Sequence, residues 1–251
     1  MSKKEMYSFS KLNAWHQCKW GWYHHYVDHA PQVQNFFAEC GTAIHHLIEQ
    51  YLKGEIKLED MAPLMDWEWD TYFTTKAPKL GKTDLNKSYH DKCLHFLETW
   101  DGFPQYKVLG VEEHFVIPIG DFEFQGYIDA IFEDEDGEII VCDWKSHNKF
   151  TPEELVSYGR QPYLYASYVK EKFGKWPKLL RFYAFREMKA YDIPFDINDA
   201  KSAVQWAIDT VAEIRSAWQY PKTPDTFYCL RLCGNRDECE YGKYWRHKKG
   251  G

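Results

Sequence analysis

A carboxylate and an ammonium group stand two positions apart in the segment "VCDWK", which holds Asp143 and Lys145 directly after the apolar Ile139 and Ile140. Side chains two positions apart on a β-strand share one face of the sheet, so this segment brings both charges into one small volume. The pair is either a surface ion pair or part of an active site. An earlier segment, in which apolar and polar residues alternate, carries a second carboxylate at Asp129 and turns it away from its apolar neighbours.

The turn between these two predicted strands decides whether their carboxylates meet. If residues 135–137 form a three-residue loop with Gly137 in the left-handed conformation, counting back along both strands sets Asp129 opposite Asp143. A two-residue turn would pair Asp129 with Trp144 instead and would divide the carboxylates between the two faces. The chemistry therefore depends on the longer loop.

Two carboxylates facing each other across a pair of strands, roughly 5 Å apart, repel unless a cation lies between them or one of them is protonated. Oxygen ligands of this kind suit a hard divalent ion such as magnesium or manganese. Lys145 could then orient a water molecule or stabilise charge that develops on a phosphate. The alternative is a solvated acidic strand pair that Lys145 neutralises, because Asp-x-Lys alone is a weak motif.

A histidine on a predicted helix is a further candidate ligand. The apolar residues of "GTAIHHLIEQYL" form one buried stripe, and His45 lies at its edge, where it could face a cleft beside the sheet. Glu49 lies one turn further along the same side of the helix. A single histidine at such a border is also commonly a packing residue, so the helix pattern leaves its role open.

The predicted elements run in the order helices, strands, helix, strand and helix, which is typical of a mixed α/β fold. A capping box opens one helix at Thr151, and Gly159 and Pro162 predict that it breaks and that a separate helix follows. The other helices are predicted over Ser10 to Tyr26, Phe37 to Leu52, much of Leu58 to Trp100, and Ala200 to Trp218. The strands are predicted over Val108 to Ile117, Phe122 to Glu133, Glu138 to Lys145, and Leu179 to Phe185.

The sequence features predict a cytoplasmic protein. The 251 residues contain no apolar run of membrane-spanning length and no signal peptide, so we expect no membrane partner. The formal charge is −7, and affinity for nucleic acid must therefore come from a local basic patch.

Five segments, taken in chain order, resemble the RecB-type branch of the PD-(D/E)XK nuclease superfamily. Each segment alone is common, but five in order across about residues 7–165 make a specific pattern. The segments are "YSFSKLNAWHQC", "GTAIH" ending at His45, "GYID" ending at Asp129, "DWK" with Asp143 and Lys145, and "QPYLY" with Gln161 and Tyr165.

The resemblance implies a restriction-endonuclease-like fold, with a central mixed sheet flanked by helices. It implies one nuclease domain over residues 1–251, with a helical insertion at about residues 55–105. The implied activity is that of a magnesium- or manganese-dependent DNA exonuclease, or of an enzyme that processes ends or flaps, in recombination, repair, phage or CRISPR DNA processing. The expected substrate is DNA with a single-stranded portion or a free end, and a helicase or recombination partner is left open.

The resemblance also assigns roles to residues. It implies that His45, Asp129 and Asp143 hold the cation, that Lys145 assists the attacking water, and that the helix with Gln161 and Tyr165 lies against the DNA. Arg160 is a further candidate for contact with the DNA backbone. A non-catalytic DNA-binding or interaction module that keeps the nuclease scaffold is the alternative from another functional class.

Four of the seven cysteines extend the resemblance. Iron–sulfur nucleases of this branch, such as the CRISPR-associated exonucleases and the AddAB-type subunit, combine one distant cysteine with three clustered ones. The likeness implies a [4Fe-4S] cluster that ties residues 225–245 to the N-terminal part of the chain through Cys18, Cys229, Cys233 and Cys239.

The cysteine pattern departs from that branch in two places. Three residues separate Cys229 from Cys233 where two are usual, and Lys19 follows Cys18 where a proline is usual. Four thiolates can also hold zinc in a tetrahedral site, so zinc stays the alternative. The remaining cysteines, which are Cys40, Cys93 and Cys142, are expected to be small buried hydrophobic residues.

Overall fold

The computed structural model describes residues 4–79, 81–146 and 149–248, the last four of them by their backbone alone. These residues form one mixed sheet of six strands. The strands are β1 Met6–Tyr7, β2 Lys107–Ile119, β3 Phe122–Glu133, β4 Ile139–Lys145, β5 Leu179–Ala184 and β6 Lys189–Pro194. Strand β3 pairs with β1 in parallel and with β2 and β4 antiparallel, and β5 pairs with β4 in parallel and with β6 antiparallel.

Helices flank this sheet, which confirms the expected mixed α/β architecture. They are α1 Phe9–Gln17, α2 Lys19–Tyr26, α3 Phe36–Leu52, α4 Leu58–Glu68, α5 Leu85–Thr99, α6 Pro152–Phe173, α7 Ile197–Ser216 and α8 Glu240–Lys248. Short 3₁₀ turns lie at Trp69–Thr71 and Phe185–Glu187, and a π-helical turn lies at Tyr228–Leu232. Among the residues described, none of the helices is both long enough and apolar enough to cross a bilayer.

Two apolar clusters form the core. One joins β2, β3 and β4 to α1, α6 and α7, and the other joins β3, β4 and β5 to α3, α4 and α5. The apolar residues of β3 are all buried, as the alternation predicts, but they divide at Asp129. Phe124 and Ile128 belong to the first cluster, whereas Ala130 and Phe132 belong to the second. Ile131 belongs to the first cluster, so the alternate residues that face this cluster change from the even to the odd positions at Asp129. The regular alternation of faces is therefore interrupted at this point.

The β3–β4 hairpin has the longer loop on which the chemistry depends. Gly137 has a φ of +76°, a left-handed conformation that glycine adopts without strain. The register pairs Ala130 with Cys142, so the next pair along the two strands is Asp129 and Asp143. The prediction of a three-residue loop is confirmed, and the two carboxylates lie on neighbouring strands at the same level.

The prediction of one helix from Ser10 to Tyr26 is wrong in one respect, because two helices cover this segment. Cys18 separates them with an extended backbone, at φ −164° and ψ 109°, and its Sγ accepts a hydrogen bond from the Gly21 N–H at 3.5 Å. The cysteine therefore caps α2. The spacing of apolar residues in the sequence gives no signal for such a cap. The segment predicted as helical up to Trp100 is also interrupted, between Thr71 and Leu85.

The predicted break near Gly159 and Pro162 is wrong, because α6 continues from Pro152 to Phe173. It begins at the predicted capping box of Thr151 and Glu154. A proline inside a helix costs about 3 kcal/mol, whereas burying one large apolar side chain contributes roughly 1.5–3 kcal/mol. Several such residues bury one face of α6, namely Tyr163, Leu164, Tyr165 and Val169, and their combined burial outweighs the proline.

We expect Gly126→Ala to lower the free energy of unfolding by about 1–3 kcal/mol. A Cβ atom at this position would lie 2.8 Å from Cζ of Phe115 and 2.8 Å from Cε1 of Tyr165, and both rings are buried. Gly159→Ala is the matched control, because a Cβ there meets Ile193 only at ordinary contact distance. Urea unfolding of the two variants and the parent checks this, and equal stability of all three would contradict the packing described.

Candidate active site

Three neighbouring strands place three carboxylates in a row. The β3–β4 register sets Asp143 beside Asp129 on one side, and the β2–β3 register sets Glu112 opposite Asp129 on the other. Adjacent strands lie about 4.8 Å apart, so each carboxylate faces the next across one interstrand gap. Asp143 is buried, with 5% of the residue exposed, and Asp129 and Glu112 are partly buried.

Lys145 lies against the carboxylate of Asp143, as the spacing predicts. Its Nζ is 2.7 Å from Oδ2 of Asp143 and donates a hydrogen bond to Oε1 of Gln161 at 3.2 Å. Burial alone would lower the pKa of Lys145, but the carboxylates of Asp143 and Asp129 more than compensate and raise it. The side chain is therefore an ammonium group at neutral pH, a proton donor rather than a base. Oδ2 of Asp143 is buried and makes no hydrogen bond of good geometry, so its charge rests on this one ion pair.

The side chain of Asp129 is fixed by the backbone of the neighbouring strand. Its Oδ2 accepts a hydrogen bond from the Trp144 N–H at 2.8 Å. Burial, followed by the nearby carboxylate of Asp143, holds the pKa of Asp129 well above its usual range. The folded protein thus keeps a carboxyl group where its charged form is disfavoured, which is the electrostatic setting of a cation site.

Helix α3 brings His45 to the same place. Its Nε2 is 2.8 Å from the carbonyl oxygen of Trp144, and its Nδ1 is 3.5 Å from Oδ2 of Asp129. A carbonyl oxygen only accepts hydrogen bonds, so Nε2 carries the proton and the lone pair of Nδ1 points toward Asp129. Burial lowers the pKa of His45, which favours the neutral imidazole that binds metals.

The closest group of possible metal ligands includes one residue that the sequence did not predict. Within the described parts of the chain, the one set of three donor atoms that lie within 4.8 Å of one another comes from His45, Glu112 and Asp129. Asp143 is not in that set. Burial and the carboxylate of Glu49 raise the pKa of Glu112. Sequence spacing gave no signal for Glu112, because the β2–β3 register shifts between Val108 and Gly110.

His45 and Glu112 line an open cleft of about 600 Å³, whereas Asp129 and Asp143 are not among its lining residues. Helix α3 forms one wall, with Gly41, His45 and Glu49 among its lining residues, and Lys145 forms part of the floor. The arrangement offers an imidazole and carboxylates as ligands for a hard divalent cation, directly beside an ammonium group.

The three predicted DNA-contacting residues lie in different surroundings. Gln161 contacts Lys145 and also donates from Nε2 to the hydroxyl of Tyr165 at 2.9 Å, while Tyr165 is buried. Arg160 places its guanidinium over the ring of Trp206 on α7, with its Cζ 5.1 Å from the ring centre, and it does not line the cleft. In this conformation Gln161 and Tyr165 support Lys145, and DNA contact by all three stays a prediction.

The four predicted cluster cysteines come together where the C-terminal segment meets α2. Cys229, Cys233 and Cys239 are buried, and Cys18 is partly exposed. Burial, together with the proximity of the other three thiols, raises the pKa of Cys233 to about 11. Cys40, Cys93 and Cys142 lie in the apolar core, as expected.

Hydrogen bonds also hold the C-terminal segment in this place. Asn235 donates from Nδ2 to the Gly21 carbonyl at 3.1 Å and accepts at Oδ1 from Gln32 at 2.6 Å. The Val33 N–H donates to the Gly234 carbonyl at 2.8 Å. These hydrogen bonds position the C-terminal segment against α2 and the residues that follow it.

The chain matches the model of the PD-(D/E)XK nuclease superfamily over residues 6–242. The protein therefore belongs to this superfamily. A presumed exonuclease from Eubacterium rectale is 10% identical at a TM-score of 0.54, with 94% of this chain and 86% of that chain covered, which shows a shared fold. The structure of SSO0001 is 14% identical at a TM-score of 0.42, with 96% of this chain and 88% of that chain covered. No curated protein matches the chain.

We expect Asp129→Asn to stabilise the protein at pH 7–8 in the presence of EDTA, by on the order of 1–2 kcal/mol. A carboxyl group whose pKa is raised by folding destabilises the folded state above its unfolded pKa, and this cost is lost as pH falls and the group is protonated. The difference between variant and parent should therefore shrink toward pH 4. Thermal unfolding across this pH range measures it. A variant less stable than the parent at pH 8 would contradict the assigned electrostatics.

Proposed function

We propose that the protein is a DNA nuclease that depends on magnesium or manganese. The observation that carries the proposal is the meeting of His45 and Asp129 beside the ion pair of Asp143 and Lys145, in a member of a nuclease superfamily. Each of these residues was proposed for the site from sequence. His45 and Lys145 line the cleft, and they contact Asp129 and Asp143 respectively.

The donor set fits a hard divalent cation. The lone pair of His45 Nδ1 points toward the carboxylate of Asp129, and Asp143 has a buried oxygen without a hydrogen bond of good geometry. We assign these three residues as candidates to hold the ion. When bound, the cation lowers the pKa of a water molecule and neutralises charge on the phosphate oxygens.

The ammonium group of Lys145 acts on the nucleophile or on the phosphate. Because its pKa is raised, it donates hydrogen bonds and supplies positive charge, and it does not remove a proton from water. Asp143 and Gln161 hold it from two directions, at 2.7 and 3.2 Å. Hydrolysis then requires no covalent intermediate on the protein.

The proposed substrate is DNA with a single-stranded portion or a free end, and the proposed reaction is exonucleolytic or end- or flap-processing cleavage. Membership of the superfamily supports a nucleic-acid substrate, and the fold shared with a presumed exonuclease of Eubacterium rectale supports action at ends. Because the chain carries a formal charge of −7, local contacts and the cation must supply the attraction for phosphates.

We expect Asp129→Asn and Lys145→Met each to reduce DNA degradation in manganese by at least about 10²- to 10³-fold. The first change removes a charged ligand and the second removes the ammonium group. Lys170→Met is the matched control for the lysine, because Lys170 lies at an exposed helix end. Asp121→Asn is the control for the aspartate, because Asp121 pairs with Arg215 on the surface.

End-labelled single-stranded and double-stranded linear DNA, with closed circular DNA beside them, provide the assay. Degradation of linear DNA alone would identify an exonuclease, and cutting of circles would identify an endonuclease. Undiminished cleavage by either active-site variant would remove the assignment of its residue. Tight DNA binding by the parent protein without any cleavage would favour the non-catalytic module.

The proposal includes a [4Fe-4S] cluster on Cys18, Cys229, Cys233 and Cys239. The thiols of Cys18, Cys229 and Cys239 lie close enough to Cys233 to help raise its pKa, yet in the described part of the chain no three of the four lie within 4.8 Å of one another. Tetrahedral zinc with Zn–S bonds of about 2.3 Å would draw its thiolates to about 3.8 Å apart. A cubane holds its thiolates at separate corners and so needs the wider spacing.

We expect anaerobically purified protein to be brown and to contain about four irons per chain, and Cys233→Ser to lose both colour and iron. Cys93→Ala is the control, because Cys93 is buried in the other part of the core. Metal analysis and visible absorption measure the result. Colourless protein with stoichiometric zinc would show that the zinc alternative is correct.

A further inference from the structure

We infer that Glu112 is a further ligand of the active-site cation, in addition to His45, Asp129 and Asp143. The inference rests on the metal-dependent hydrolysis proposed above and adds a residue that none of the five sequence segments contains. It is carried by the position of Glu112, by its backbone conformation and by the partners of the surrounding charges.

The position of Glu112 is set by strand pairing. Val111 pairs with Ala130 and Glu113 pairs with Ile128, so Glu112 stands directly opposite Asp129. One carboxylate oxygen of Glu112 lies within 4.8 Å of the donor atoms of His45 and Asp129. An ion with bonds of about 2.1 Å to oxygen and nitrogen spans donors up to about 4.2 Å apart when they lie on opposite sides of it. Small side-chain movements therefore suffice for all three groups to reach one ion.

The backbone of Glu112 is strained. Its φ of +49° lies in the left-handed region, which is unfavourable for a residue with a Cβ, and it occurs within a strand. Such conformations persist where the surroundings fix them, and they cluster at functional sites. The next residue, Glu113, faces different partners. Its carboxylate accepts a hydrogen bond from Tyr168 and pairs with Lys172, both on α6.

The other charges around the cleft already have partners. Asp143 pairs with Lys145, and Glu49 pairs with Lys53. Glu112, by contrast, forms no hydrogen bond and no ion pair among the residues that the structure describes. Glu112, Asp129, Asp143 and Lys145 together carry a formal charge of −2 when all are ionised, which a divalent cation would balance. The cation would supply Glu112 with the partner that the described residues do not.

The test measures binding of manganese chloride alone, by isothermal titration calorimetry and by the electron paramagnetic resonance signal of free Mn²⁺, to the full-length protein without DNA. We expect Glu112→Gln to weaken manganese binding at least 10-fold. Glu113→Gln is the matched control, since it makes the same change one residue further along β2 and should stay within about twofold of the parent. The thermal midpoint of each protein in EDTA shows whether it is folded.

A second variant guards against misfolding. Glycine adopts a positive φ without strain, so Glu112→Gly should be at least as stable as Glu112→Gln in EDTA and should lose manganese binding in the same way. Should Glu112→Gln and Glu112→Gly bind manganese like the parent while Asp129→Asn does not, Glu112 is no ligand and the proposed function stands. A parent protein that binds no manganese and cuts no DNA would remove the proposed function itself.

Discussion

The repulsion between buried carboxylates on neighbouring strands is the interaction on which the site depends. Asp129 lies between Asp143 and Glu112, and the strand register leaves none of the three free to move away. The register in turn is fixed by the loop that closes with Gly137. A slip of one residue would turn Asp143 to the opposite face and would set Trp144 opposite Asp129 instead. The fold therefore stabilises a charge arrangement that is unfavourable without a cation.

Two helices from opposite sides of the sheet complete this arrangement. Helix α3 supplies His45, whose tautomer is set by the Trp144 carbonyl, and α6 supplies Gln161, which contacts Lys145. Trp144 thereby serves both carboxylate and imidazole through its backbone, donating to Asp129 and accepting from His45. Because these contacts use backbone atoms, the site tolerates any side chain at this position that packs in the same core.

The sequence was informative where a short-range rule applies. The hairpin loop and its register followed from the conformation of one glycine, and the capping box of α6 followed from local spacing. It was uninformative where tertiary burial decides. The continuation of α6 through Pro162 and the parallel pairing of β1 with β3 depend on contacts between distant segments.

Glu112 illustrates a third limit of sequence patterns. Its neighbour Glu113 is chemically identical, and nothing local distinguishes the glutamate that pairs with α6 from the one that faces His45. The distinction arises from an irregularity in β2 near Gly110 and from the left-handed backbone at Glu112 itself. Counting alternate residues fails at such a point, because the alternation itself is interrupted.

The charge of the site also bears on how an acidic protein approaches a polyanion. The three carboxylates and Lys145 together carry a formal charge of −2 when all are ionised, in a chain whose formal charge is −7. A phosphate entering this cleft without a cation would meet net repulsion. A divalent ion would bring the local formal charge to zero, and the ammonium group of Lys145 would keep its contacts with Asp143 and Gln161. Under the proposed function, the ion would therefore bind before the phosphate. Burial, followed by the carboxylate of Asp143, already raises the pKa of Asp129 in the ion-free protein, so the site favours a bound cation.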